Sequence, residues 1–314
     1  MRILIVTPAP NGSRTGNRVT ALRWARMLKE LGHRVHIDCD FKTQQCDLLI
    51  ALHARKSAAS IKRFSEVHPD SPLVVALTGT DLYGDLPKSK SAIESVELAD
   101  RLIVLQSEGI NSLPKKHREK TRVIFQSTSL WKFPKKLSSV FEICVVGHLR
   151  SVKDPFRAEI ASRKLPRESR ICITHIGGSL EPSMEKRALQ ATKNNPRYRW
   201  LGELSPGKTR QLLARSRVTV LSSKMEGGAH VISEACVAGV PVLSSYIPGS
   251  VGMLGAEYPG YFPEGDTEQL RTLMLQTERD VEFLNQLVNH CRQRASLFQP
   301  AKEKAALKKL LREY

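Results

Sequence analysis

The sequence predicts an α/β protein of two doubly wound domains, each a parallel sheet with helices on both faces. Three observations predict it. Short β-branched runs alternate with amphipathic helical stretches, the pattern of strands buried on both sides. The alternation lapses once, at Lys132–Ser139 (KFPKKLSS), which reads as a linker, and restarts at Phe141–Gly147. The length of 314 residues suits two domains at roughly 150 residues each.

In the first half the expected strands are Ile3–Thr7, Arg34–Asp38, Asp47–Leu52, Leu73–Leu77, Arg101–Leu105 and Arg122–Phe125. Between the first two, Arg18–Leu31 reads as a helix with Val19, Leu22, Ala25/Arg26 and Leu28 on one face and Gly32 as its stop. Ser57–Val67 and Ser89–Ala99 read the same way. The second half offers strands at Phe141–Gly147, Ile171–Ile176, Val218–Leu221 and Pro241–Ser245. Thr267–Tyr314 is helical in pattern apart from Phe298-Gln299-Pro300, so a final helix is expected to cross back onto the first domain. The expected limits are 1–135 for the first Rossmann-like domain, 140–290 for the second and 291–314 for the crossing helix.

Composition narrows the function. Charged residues make up 25% and hydrophobic residues 41%, which excludes a disordered or collagenous chain. No apolar run approaches the ~20 residues of a membrane span. Met1-Arg2 leads into Ile3–Thr7 and then Pro8, too short an apolar stretch for a signal peptide, so a cytoplasmic protein is expected. The balance of 49 basic against 31 acidic residues, a net +18, attracts anions. Its cations are dispersed, with modest pairs at Lys115-Lys116, Lys135-Lys136 and Lys308-Lys309, and no nucleic-acid-binding motif accompanies them. Charge alone does not choose among nucleic acid, anionic lipid and phosphorylated small molecules, although nothing in the chain marks nucleic acid binding or stable membrane insertion. The six cysteines contain no Cys-x-x-Cys and are expected to be reduced and metal-free.

Open α/β sheets bind ligands beyond the carboxyl ends of their strands, so two such sheets facing a central cleft make polar residues after strands the candidates. The first strand-to-helix turn carries Arg14, Gly16, Asn17 and Arg18, where helix-start amides and arginines can hold an anion. His53 ends the third strand, and Thr80 and Asp81 follow the fourth; Asp81 also suits a helix N-cap. In the second half, Gly147-His148-Leu149-Arg150 turns sharply after a strand, and Arg150 with Lys153 can clamp a diphosphate. The most specific string is Glu226-Gly227-Gly228-Ala229-His230 through Glu234 to Gly239-Val240-Pro241. Either glutamate alone is an ordinary solvated acid. Together, after a strand and across a helix start, they suit a sugar and a ribose diol.

These residues resemble the retaining, two-Rossmann-domain (GT-B) glycosyltransferases, through Gly-x-Leu-x-x-x-Lys at 147–153, Glu-x7-Glu at 226–234 and Ala-Gly-x-Pro-Val at 238–242. The resemblance implies Lys153 and an arginine on the donor diphosphate, Glu226 and the 227–230 backbone on the sugar, and Glu234 on the ribose. It implies no cofactor and no obligatory metal. Where that family carries Arg after the glycine, this chain has His148, with Arg150 two residues on.

A nearer likeness covers residues 7 to past 225. Thr7-Pro-Ala-Pro with Gly-Ser-Arg and Gly-Asn-Arg-Val-Thr-Ala-Leu-Arg-Trp-Ala-Arg, Ala51-Leu-His-Ala-Arg-Lys-Ser, Ala76-Leu-Thr-Gly-Thr-Asp-Leu-Tyr, Gly147-His-Leu-Arg-x-Val-Lys-Asp-Pro-Phe-Arg and Met225-Glu-Gly-Gly-Ala resemble the bacterial selenosugar synthases of selenoneine biosynthesis. That resemblance implies a UDP-sugar, UDP-N-acetylglucosamine or UDP-glucose, joined to selenophosphate with release of UDP and then phosphate. It places Arg14, Gly16, Asn17, Arg18, Thr80 and Asp81 at the acceptor. His53, Arg150, Lys153 and Glu226 are the catalytic candidates, with His53 positioning groups or stabilising charge. Two other readings compete: a conventional glycosyltransferase acting on a hydroxyl, and a nucleotide- or nucleic-acid-binding protein without catalysis, which salt-dependent retention on DNA would reveal.

Overall fold

The computed structural model describes residues 1–129 and 136–314, so Lys132–Lys135 of the expected linker lie outside the described residues. The chain divides into two compact units, Met1–Ser127 with Leu297–Tyr314, and Thr128–Ser296. The sequence reading set these limits at 135–140 and 291. The returning segment begins after the helix Val281–Ala295, which stays with the second unit.

The first unit holds a six-stranded parallel sheet in the order β2-β1-β3-β4-β5-β6. Its strands are β1 (Arg2–Val6), β2 (Arg34–Asp38), β3 (Leu48–Leu52), β4 (Leu73–Leu77), β5 (Arg101–Val104) and β6 (Thr121–Val123). Side chains alternate between faces along each strand. Ile3, Ile5, Ile50, Val74 and Ile103 face one core, with Trp24 and Leu28 of the helix Gly16–Glu30. Leu4, Val6, Leu49, Val75 and Val104 face the other, with Ile61 and Phe64 of Ala58–Val67 and Val96 of Lys90–Leu98. Both faces are covered, as parallel strands require.

The helix Gly16–Glu30 ends where expected. Gly32 adopts φ +91°, and its N–H and that of His33 bond to Lys29 O and Leu28 O, a Schellman stop. Of its expected face Ala25 and Leu28 are buried. Val19 and Leu22 are 40% and 51% exposed, and Ala21 and Trp24 are buried in their place. Two apolar stripes compete on this helix, and the indole, with the larger area to remove from water, turns the other outward.

The terminal helix Pro300–Leu311 packs on the same core through Leu307, Leu310 and Leu311, so the expected return to the first domain is present. Inside that contact Glu303 is 1% exposed and accepts hydrogen bonds from Trp24 Nε1 (2.7 Å), Arg23 Nε (3.0 Å) and the Ser127 amide (2.7 Å).

The second unit repeats the plan in the order β12-β11-β10-β7-β8-β9, again all parallel. The strands are β7 (Phe141–Val146), β8 (Ile171–Ile176), β9 (Tyr198–Trp200), β10 (Val218–Leu221), β11 (Val242–Ser245) and β12 (Tyr261–Phe262). The edge strands β9 and β12 are the two that the sequence reading lacked. All six cysteines are unpaired, and Cys46, Cys144, Cys236 and Cys291 are buried. Among the described residues no helix is long and apolar enough to cross a membrane.

Candidate functional site

In the second unit two glycine turns interlock. Gly147-His148 follows β7, and Gly177-Gly178 follows the neighbouring β8. Gly147 N donates to Ile176 O and Leu149 N to Gly178 O, both at 2.9 Å, and Gly178 N donates to His148 Nδ1 at 3.1 Å. Gly177 has φ +153°, and a Cβ there would lie 1.9 Å from Gly147 O. Only glycine fits such an approach. Behind the turns His175 touches Gly147 O through Nε2 (3.2 Å) and Tyr198 Oη through Nδ1 (2.8 Å).

Burial pushes the His175 imidazole down to about 4, against a small upward pull from its bond to Gly147. The unfolded chain, titrating near 6.5, therefore takes up a proton that the native state refuses. Stability is expected to fall as pH drops from about 6.5 towards 4 and to be independent of this group above that range. Urea titrations at several pH values check this; an equal slope in His175→Gln would contradict it.

Beyond the Gly147 turn, Arg150 is exposed and Ser151–Lys153 form one 3-10 turn. Asp154, at φ +41°, ends it. Lys153 then folds onto the glutamate string: its Nζ lies 2.5 Å from Glu226 Oε1, which also accepts from Ser223 Oγ at 2.6 Å. Two residues read separately, 153 for a diphosphate and 226 for a sugar, are thus in direct contact. The loop after β10 is stitched to the 3-10 turn by Lys224 N to Val152 O (2.9 Å) and Ser222 Oγ to Asp154 O (2.8 Å). Glu226 is 9% exposed.

Glu226 is also pressed from behind by Gly249, in the helix Pro248–Leu254, where a Cβ would lie 2.1 Å from Glu226 O. Gly249→Ala is expected to displace Glu226 and to lower stability by about 1–3 kcal/mol through overpacking. A melting curve on the variant checks this. Gly227, Gly228 and Ala229 lead into the helix His230–Val237, whose N-cap Ala229 has no side-chain cap to offer. The Ile232 amide donates to Ala229 O at 2.8 Å, closing the first turn. Glu234 lies half-buried on that helix, with His230 Nδ1 3.8 Å from its Oε1.

In the first unit, Thr15 is the N-cap of Gly16–Glu30 without a side-chain cap bond. Arg14 and Gly16 are exposed. Arg18 is 8% exposed, donates from Nη2 to Asn11 Oδ1 (2.8 Å) and keeps a buried Nε without a partner. Asn17 Oδ1 accepts from Thr78 Oγ1 at 2.6 Å, tying the helix start to the end of β4.

His53 follows β3 at φ +77°, a strained conformation for a non-glycine residue. Its ring is buried, with Nε2 3.7 Å from Asp85 Oδ2 and no hydrogen-bond partner on Nε2. Burial lowers its pKa, opposed chiefly by Asp81. Lys56 N points at Nδ1 (3.4 Å), which leaves the proton of the neutral ring on Nε2.

Asp81, expected at the acceptor, is 0% exposed, and its oxygens accept from Gly79 N (2.8 Å) and Ala54 N (3.0 Å), with Oδ2 3.8 Å from His53 Nδ1. Two backbone amides hold the carboxylate, so Asp81 shapes the loops around His53 and sets its charge beside that ring. Thr80 beside it is half-buried. Sequence reasoning missed Ser223, Gly249, His175 and the Gly177-Gly178 turn. Only the glycine turn carried a readable signal, since it repeats the strand-end glycine of Gly147. Among the described residues no three His, Cys, Asp or Glu side chains converge as a metal cluster.

Solved structures share this architecture across the whole chain. Anabaena HepE, in complex with UDP-glucose, is 16% identical with TM-score 0.78 over 100% of both chains. Sucrose-phosphate synthase from Thermosynechococcus elongatus is 14% identical, TM-score 0.80, over 99% of this chain and 98% of that one. A glycosyltransferase from Rickettsia africae is 14% identical, TM-score 0.73, with the same coverage. These likenesses fix the GT-B fold. No curated protein sequence matches the chain. The family model for glycosyl transferases group 1 matches residues 127–294, more than half of the sequence and all of the Gly147, Lys153, Glu226 and Glu234 apparatus. The chain therefore belongs to the glycosyl transferases group 1 family.

Proposed function

We propose that this glycosyltransferase is a selenosugar synthase, transferring the sugar of a UDP-sugar to selenophosphate. The donor half is supported by the contact of Lys153 with Glu226 under the Gly147 turn, and by UDP and UDP-glucose bound in the similarly folded HepE. Arg150 and Lys153 take the diphosphate, Glu226 with the 227–230 backbone the sugar, and Glu234 the ribose. Protein cations and amides carry the diphosphate charge on this reading, without an obligatory metal. Unpaired thiols support a reducing, cytoplasmic setting.

The acceptor half rests on one observation. Around the uncapped start of Gly16–Glu30 stand donors: backbone amides, Arg14 and buried Arg18 with its unpartnered Nε. Such a set suits a small, multiply charged anion. Selenium attacks C1 of the sugar, the C1–O bond to the β-phosphate breaks, and UDP leaves with the electron pair. Water then cleaves the Se–P bond, giving phosphate and the selenol. A selenium anion needs no proton removed, which accords with a His53 ring that carries its proton on Nε2 and has no acceptor for it among the described residues.

Phosphorus NMR of protein, UDP-N-acetylglucosamine or UDP-glucose, and selenophosphate tests the proposal. UDP and phosphate are expected to grow together as selenophosphate disappears, and neither to form without it. A hydroxyl-acceptor enzyme would instead ignore selenophosphate and show a steep loss of rate as one group is protonated, abolished in His53→Ala.

A further inference from the structure

The donor reading assigns nothing to His175, an imidazole 0% exposed within the apolar strand Ile-Cys-Ile-Thr-His-Ile. An apolar side chain would fill that place without a polar group to satisfy, so what the ring holds is informative. Its two contacts fix one tautomer. Gly147 O, 3.2 Å away, can only accept, so Nε2 carries the proton; Nδ1 is then bare and accepts the Tyr198 O–H at 2.8 Å.

We propose that His175 is a positioning residue for donor binding, holding the Gly147–His148 peptide with its carbonyl turned inward and its N–H turned towards the donor diphosphate. The inference rests on the reading that the Gly147 turn receives the nucleotide sugar. In a trans peptide the C=O and N–H point opposite ways, so anchoring one aims the other. The peptide is also blocked from flipping, because it packs on Gly177, where even a Cβ would lie 1.9 Å from Gly147 O. Among the described residues the His148 amide has no acceptor. A hydrogen bond to a peptide carbonyl polarises that peptide and strengthens its N–H as a donor, and the chain Tyr198–His175–Gly147 adds such bonds in series.

Calorimetric titration of UDP into wild type, His175→Phe, His175→Gln and Tyr198→Phe tests this. His175→Phe leaves Gly147 O without its donor and is expected to weaken UDP binding about tenfold. His175→Gln, which returns an N–H near the Nε2 position, is expected to recover affinity to within about threefold of wild type. With UDP-sugar as substrate, the Phe variant raises the donor KM far more than it lowers kcat. Should the Phe variant not fold, long-range proton–nitrogen spectra of the wild-type ring are expected to show Nε2–H, and Tyr198→Phe is expected to mix the tautomers. UDP bound equally by wild type and the folded Phe variant, or an Nδ1–H ring in wild type, overturns the proposal while leaving the donor reading standing. No UDP binding to wild type overturns both.

Discussion

Lys153→Ala is expected to lower kcat by about 10²–10³ while raising the donor KM much less. On the proposed reaction the departing UDP gains negative charge as its bond to C1 breaks, so an ammonium placed near it would be worth more in the transition state than before it. That ammonium is balanced by Glu226, whose same oxygen also accepts from Ser223 Oγ. Glu226→Gln removes the balancing charge, so it is expected to bind UDP more tightly and yet turn over more slowly. Steady-state kinetics and UDP titration separate the two variants. Near-normal kcat in Lys153→Ala would remove the ammonium from the chemistry.

The largest effect on stability is expected at Glu303. Its carboxylate, 1% exposed, holds Arg23, Trp24 and Ser127 together where the terminal helix meets the first unit. Arg23 already keeps a buried Nη2 without a partner. Glu303→Ala strands a nearly buried guanidinium and an indole N–H, and breaking a buried pair from one side costs about 3–5 kcal/mol. At roughly 2–4 °C per kcal/mol for a chain of this size, that is on the order of 10 °C in melting temperature. Scanning calorimetry reads it directly; a shift below about 2 °C would mean that the cluster relaxes around the loss.

Much of the architecture was legible because parallel strands buried on both faces are continuous apolar runs. Ile3–Val6, Leu48–Leu52 and Leu73–Leu77 stand out without any partner in view. β9 and β12 did not, since three and two residues carry no periodicity. The exposed Val19–Leu22 stripe shows a second limit: helical spacing offers two faces, and only the sheet beneath decides between them. At the site, strand-end glycines and the Glu226–Glu234 spacing were readable because they are local. The contact of Lys153 with Glu226, the grip of Asp81 on two amides and the place of His175 behind Gly147 are long-range, and no local pattern encodes them.

The central claim is that the sugar passes to selenium. Mass spectrometry of the purified protein incubated anaerobically with UDP-N-acetylglucosamine, with and without selenophosphate, tests it most directly. The expected result is a sugar carrying the selenium isotope pattern, with UDP released only when selenophosphate is present. UDP released with no selenium on the sugar would contradict the claim and leave a glycosyltransferase for a different acceptor.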